Sequence, residues 1–241
     1  MERRLEQREL LDGPGPTRSE IEGNLRDIAA SNKWLGGTSV IMRHLARLIG
    51  SQPSRRPVRI LDLATGGADI PMAIADWARD HGISVRITAV DSNPAVVEIA
   101  QGNTEEYPEI CVELRDIRVL PYHHRSFDFV TCSLALHHLE TAEVISVLRS
   151  ASAIATQGIV VSDLHRRPFC RMVAWLGSHL VSNSLTRHDG QVSFQNAFTP
   201  NELDQLAGMA GLPCWEVYRH GPCRLALVVD MRNVECAEKL T

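Results

Sequence analysis

Ile60-Leu61-Asp62-Leu63-Ala64-Thr65-Gly66-Gly67-Ala68-Asp69-Ile70-Pro71 is an apolar run interrupted by one acid, followed by two adjacent glycines and then an acid-led segment containing a proline. The apolar part predicts a strand covered on both faces, as in the middle of a parallel sheet. Gly66 and Gly67 permit a tight turn and a close approach of ligand to backbone. The helix predicted after them, from about Asp69 to His81, directs its unpaired N–H groups back at that turn. Such a strand-to-helix turn forms a small-molecule site, because open α/β sheets bind ligands beyond the carboxyl ends of their strands.

On either side of this stretch the pattern is strand, helix, strand. The first strand is Val58 to Leu63, and Ile70, Ala73, Ile74 and Trp77 form the buried stripe of its helix. The second, Val85 to Val90, ends in Asp91-Ser92-Asn93-Pro94, with Pro94 suited to open a helix. The third lies near Ile110 to Leu114 and ends at Arg115-Asp116-Ile117. The fourth, Phe127 to Cys132, runs into Ser133-Leu134-Ala135-Leu136-His137-His138-Leu139. A helix from about Thr141 to Ala153 leads to the fifth strand, Gly158 to Asp163. Alternation of this kind implies parallel pairing, right-handed crossovers and helices on both faces. In the last third, Met172 to Val181 predicts an apolar helix, Thr186 to Phe198 a polar loop, and Thr199-Pro200 the capped start of another helix. Cys214 to Tyr218 and Arg224 to Val229 are too close in sequence for a helical crossover, so they form a hairpin and one strand there is reversed. The expected fold class is α/β: a Rossmann-like, mostly parallel sheet with a reversed C-terminal strand and helices on both faces.

Residues 1–57 precede the sheet and predict a helical cover: a short helix around Leu5, Leu10 and Leu11, a second with Ile21, Leu25, Ile28 and Ala29 on one face, and a third with Val40, Ile41, Leu45, Leu48 and Ile49. This segment either packs on the main domain, residues 58–241, or covers the cleft with Trp34 and Gly36-Gly37 touching ligand. A helical insertion on the acceptor side spans about residues 165–200.

Composition bounds the function. The 241 residues, 44% hydrophobic and 22% charged, suffice for one sizeable core, and a net charge of −4 gives no general attraction to nucleic acid. The 6 cysteines include no C-x-x-C pair and several fall in predicted strands, which points to reduced, packed thiols rather than zinc or disulfides; no metal is expected. The charged start Met1-Glu2-Arg3-Arg4 has no short apolar core and does not read as a secretory signal. Met172 to Leu185 is too short and too interrupted to span a bilayer, so a cytoplasmic monomer or homodimer is expected.

Acids stand at the ends of the first strands: Asp62, Asp91 and Asp116. A carboxylate after the second strand accepts both hydroxyls of a ribose. Asp116-Ile117 suits an adenine, with the acid accepting from the exocyclic amine and Ile117 packed on the ring. Each acid alone is explained as a turn cap; the ordered set beside a glycine turn favours a nucleoside.

Over about Val58 to Val229 the chain resembles the class I S-adenosylmethionine-dependent methyltransferases. Leu61 to Gly67 match their first motif, Ala89-Val90-Asp91-Ser92-Asn93 the ribose acid, Arg115-Asp116-Ile117 with Leu120-Pro121 the adenine loop, and Phe127-Asp128-Phe129-Val130 the fourth strand. The resemblance implies S-adenosyl-L-methionine as cofactor, held by Asp62, Ala64, Thr65, Gly66, Gly67, Asp91, Ser92, Asn93, Asp116, Ile117 and Ser133. Ala64 and Ala68 stand where the family has glycine, which is compatible with binding if both keep negative φ. A nicotinamide-binding sheet is the rival, but the G-x-G-x-x-G spacing is absent.

Transfer to oxygen requires loss of a proton and so a base. Leu136-His137-His138-Leu139 after the fourth strand and Asp163-Leu164-His165 after the fifth resemble bacterial O-methyltransferases of quinone and polyketide type, where such groups deprotonate a hydroxyl. One of His137, His138 and His165 is the expected base, with Asp163 orienting it; a helix cap or core packing accounts for the others. His188, Trp175 and Phe194 are candidate acceptor contacts, although a solvated turn and ordinary burial explain them equally well. The resulting expectation is methyl transfer to a hydroxyl of a small, aromatic or polyketide-like secondary metabolite. C-methylation of a phenol or quinol and a non-catalytic binding protein on the same fold are the alternatives.

Overall fold

The computed structural model describes residues 4, 6–7, 9–11, 13, 15–34, 36–50, 56–170, 172, 183–221 and 223–232. Its strands are β1 (Val58–Leu63), β2 (Val85–Asp91), β3 (Ile110–Leu114), β4 (Phe127–Ser133), β5 (Ala155–Leu164), β6 (Trp215–His220) and β7 (Arg224–Asp230). They form one sheet of order β3-β2-β1-β4-β5-β7-β6. The pairs among β1 to β5 are parallel, whereas β7 runs antiparallel to both β5 and β6. The reversed strand is therefore the second arm of the terminal hairpin, as expected. Its turn passes through Gly221 at φ +52°.

Helices α1 (Arg18–Trp34), α2 (Gly37–Ile49), α3 (Asp69–Asp80), α4 (Pro94–Asn103), α5 (Thr141–Ile154), α6 (Ser184–Asn196) and α7 (Pro200–Ala210) surround the sheet. Strand residues alternate between two cores because successive side chains point to opposite faces. Leu61, Leu63, Val130, Ile159 and Leu227 join α5 and α7 on one face. Ile60, Phe129, Val160 and Ala226 join α2 and α3 on the other. Sheet order reverses between β1 and β4, which leaves a crevice at their carboxyl ends.

Several expectations are corrected. The described residues before Arg18 form no helix; they cross the end of the sheet as an irregular segment. The expected polar loop at Thr186–Phe198 is mostly helix α6, capped by the Asn183 side chain, which accepts from Leu185 N at 2.9 Å. Its inward face is Leu185, Asp189, Val192 and Asn196, and the two polar members disguise the apolar periodicity. They bind the N-terminal segment: the Asp189 carboxylate accepts from Leu10 N at 2.8 Å and Leu11 N at 3.0 Å, and Asn196 Oδ1 accepts from Gln7 N at 3.0 Å. Cys170 and Cys223 are joined in a disulfide across 53 residues, and Cys214 is also disulfide-bonded, against the expectation of reduced thiols. The pairing of Leu164 with Arg224 sets the chain leaving β5 beside the turn entering β7. Cys132 is a free, buried thiol, and Cys111 is free and exposed. No helix among the described residues is long and apolar enough to cross a membrane.

Candidate active site

The glycine turn follows β1 directly. Thr65 N donates to Val90 O at 2.9 Å, which ties the turn to the end of β2. Gly66 takes φ +55°, and Ala64 and Ala68 take φ +51° and +63°. The condition of negative φ at both alanines is therefore not met: they occupy the left-handed region that glycine adopts without strain. A side chain at Gly66 would also meet Leu25 Cδ2 at 3.5 Å, since α1 roofs the turn.

Asp91 lies against this turn. Its Oδ2 accepts from Gly66 N at 3.1 Å and its Oδ1 from Asn93 N at 3.0 Å. The carboxylate is thus held at the end of β2, against the glycine turn. Asn93 caps α4 by accepting from Ala95 N at 3.0 Å, and Ser92 is exposed beside it. Asp116 is partly exposed and gripped by the Arg118 guanidinium, whose hydrogen bonds hold its carboxyl below the usual range. Ile117 is buried next to it. Asp62 faces inward: Thr131 Oγ1 donates to its Oδ1 at 2.6 Å, and burial pushes the carboxyl up to about 7. Its position is a brace beneath the turn, and Thr65 is buried above it.

At the start of α3, Asn32 Nδ2 donates to Asp69 Oδ2 at 3.0 Å, and Arg224 Nη2 donates to Asn32 Oδ1 at 3.1 Å. Arg224 is buried, and its Nη1 finds no hydrogen-bond partner among the described residues; neither does the buried Ser133 Oγ at the end of β4. Gly37 makes room for this group, because a Cβ there would lie 2.3 Å from Asn32 Oδ1. Trp34 is 81% exposed, and Gly37 faces Asn32 and the Arg224 guanidinium.

The histidines separate clearly. His137, in the short 3₁₀ turn Leu136–His138, is 2% exposed, and its Nδ1 lies 2.7 Å from Asp163 Oδ1. Asp163 Oδ2 also accepts from His137 N at 3.2 Å, so the end of β5 fixes both ring and backbone. His137 Nε2 lies 3.5 Å from Glu9 Oε1, on the N-terminal segment. Burial alone would lower this imidazole, but Asp163 and Glu9 together lift it to about 10. His138 stacks on it, with ring centroids 4.4 Å apart. His165 is buried elsewhere, its N donating to Cys223 O at 3.0 Å, and desolvation with Arg167 and Arg219 lowers it to about 4. His165 is thus not the partner of Asp163. His188 is largely exposed and touches Asp189, Phe194 is half-buried, and Trp175 lies outside the described residues.

A family described as methyltransferase domain matches residues 60–158, from β1 into β5. Over that stretch the chain is similar to the S-adenosylmethionine-dependent methyltransferases. Among curated relatives, the ubiquinone biosynthesis O-methyltransferase of Bordetella avium is 28% identical over 176 residues, covering 70% of this chain and 66% of that relative. The chain thus spans about two thirds of that relative's length. An S-adenosylmethionine-dependent methyltransferase from Aquifex aeolicus superposes with a TM-score of 0.62 at 14% identity, over 90% of this chain and 99% of that one. Human N-acetylserotonin methyltransferase, solved with S-adenosylmethionine, gives 0.65 at 18% identity, over 94% of this chain and 63% of that one.

The methyltransferase reading fits groups that sequence reasoning missed. Arg224 offers a buried donor beside the glycine turn, and Glu9 stands against His137. The local hint of Arg224 is a cation opening a strand that is apolar from Leu225 to Val229. Nothing near Glu9 marks it.

Proposed function

We propose that the protein methylates a hydroxyl of a small aromatic or polyketide-like acceptor, with His137 as the base and Asp163 as its positioning residue. The observation that carries this reading is the buried His137–Asp163 pair, 2.7 Å apart where β4 and β5 end. Asp163 accepts from Nδ1, which fixes the tautomer and leaves Nε2 as the atom that takes the hydroxyl proton. Glu9 stands at that nitrogen. A hydroxyl entering there displaces the carboxylate, so one of the two charges that hold the proton on the ring is removed. The described N-terminal residues around Glu9 and helix α6 then wall the acceptor side.

The cofactor is held by the chain's own groups. Gly66 and Gly67 let the nucleoside approach the backbone, Asp91 accepts from the ribose, and Asp116 with Ile117 takes the adenine. Arg224 Nη1, an open donor next to Asp69, takes the amino-acid carboxylate. S-adenosylmethionine supplies an electrophilic methyl group that needs little activation, so placing the acceptor oxygen in line accounts for most of the acceleration.

The test is turnover over a panel of phenols, quinols and polyketides, with the methylated atom located by NMR. His137→Asn lowers kcat by about 100-fold or more while leaving S-adenosylmethionine affinity intact. Unchanged turnover in that variant overturns the assignment of the base, and a C-methyl product overturns the hydroxyl.

A further inference from the structure

His137 directs Nε2 away from Asp163 toward the Glu9 carboxylate, which His138 also approaches. Nε2 has no hydrogen-bond partner among the described residues, although the side chain is 2% exposed. It lies 3.5 Å from Glu9 Oε1, and His138 Nε2 lies 3.8 Å from Glu9 Oε2. One donor atom from each residue lies within 4.8 Å of the others. Zinc–ligand bonds of about 2.0–2.2 Å place neighbouring donors of a tetrahedral site about 3.4 Å apart, so contraction of the set, by up to about 1.4 Å at its widest pair, closes it.

We propose that Glu9, His137 and His138 are the protein ligands of a divalent transition-metal site of the zinc type, completed when the N-terminal segment lies across the end of β4. Two imidazoles and a carboxylate select zinc or a neighbouring transition metal over magnesium or calcium, which take oxygen ligands. Three protein ligands leave a fourth position for water or for an acceptor oxygen. The surrounding partners are those such a site needs. Asp163 orients His137 through Nδ1, and Ser193 Oγ donates to Glu9 Oε1 at 2.5 Å. The charges of Asp163 and Glu9 balance a dication. The nearby cation Arg4 is turned aside, its guanidinium donating to the carbonyls of His137 and Leu139 and lying over the Phe198 ring. Metal and the hydroxyl proton compete for His137 Nε2, so the metal-bound form is one in which this imidazole does not act as the base. That last point rests on the methyl-transfer reading, whereas the binding of metal does not.

The full chain, stripped with a chelator, is titrated with ZnCl2 by calorimetry and with CoCl2 by visible absorption. One equivalent of zinc binds, and cobalt develops the intense bands of a four-coordinate site. Asp163→Asn weakens zinc by about 10–100-fold, and Glu9→Gln and His138→Ala each weaken it by more. Glu9 lies on the segment outside the sheet and His138 is partly exposed, so these variants keep the core, as a thermal melt verifies. No bound equivalent, or equal affinity in wild type and Glu9→Gln, overturns the proposal; zinc held by the exposed Cys111 thiol gives that second result. S-adenosylmethionine binding measured on the same samples reports separately on the methyl-transfer reading.

Discussion

Ala64 and Ala68 flank the glycine turn at φ +51° and +63°, and replacing each by glycine separates backbone strain from side-chain packing. An L-residue in the left-handed region costs about 1–2 kcal/mol. Glycine returns about 0.5–1 kcal/mol of that through the greater freedom of the unfolded chain. The net gain at either position is about 0.5–1 kcal/mol before packing is counted. Ala64 is half-buried and loses little when its methyl is removed. Ala68 is fully buried against Ala89, Val97 and Ala100, so its methyl is worth about 0.8 kcal/mol and cancels the gain. Ala64→Gly therefore raises Tm by about 1–3 °C, and Ala68→Gly leaves it within about 1 °C. Differential scanning calorimetry and urea midpoints measure both, with the urea slope checked for constancy. A fall in stability for Ala64→Gly, or a larger gain at Ala68 than at Ala64, refutes the reasoning.

Two further outcomes follow from buried charge. The Asp62 carboxyl, raised to about 7 in the fold, contributes stability that is complete below the unfolded carboxylate range and is lost as pH rises through about 7. Asp62→Asn keeps the oxygen that accepts from Thr131 and removes this loss, so its stability relative to wild type rises by a few kcal/mol between about pH 4 and pH 8, read from urea unfolding at each pH. Arg224→Lys removes the fork whose Nη1 is open, and S-adenosylmethionine affinity falls by about 10–100-fold in calorimetry, the worth of a charged hydrogen bond. Methylthioadenosine, which lacks the amino-acid carboxylate, binds both forms equally; a parallel loss for both ligands removes Arg224 from that role.

The sheet was legible because its signals are local. Apolar runs such as Phe127–Cys132 are bounded by turn residues, and the short link between the last two strands permits only a hairpin. The pairing of His137 with Asp163 was legible as far as both follow adjacent strands, yet its exclusion of His165 depends on which way each side chain leaves its strand end. Asp62 shows the same limit: alternation places it on a face of β1, but Thr131 on the neighbouring strand decides that it braces the turn. Asp189 and Asn196 made α6 read as a loop, because an inward polar residue is indistinguishable in sequence from a solvated one until its partner is known. Here the partners are backbone groups of Gln7, Leu10 and Leu11, about 180 residues away and without helical periodicity of their own. Glu9 belongs to the same segment, so docking of its neighbours on α6 also places its carboxylate against His137. Distant polar burial is thus the common cause of the missed helix and of the missed site residue: both depend on contacts between the N-terminal stretch and residues more than 100 positions away.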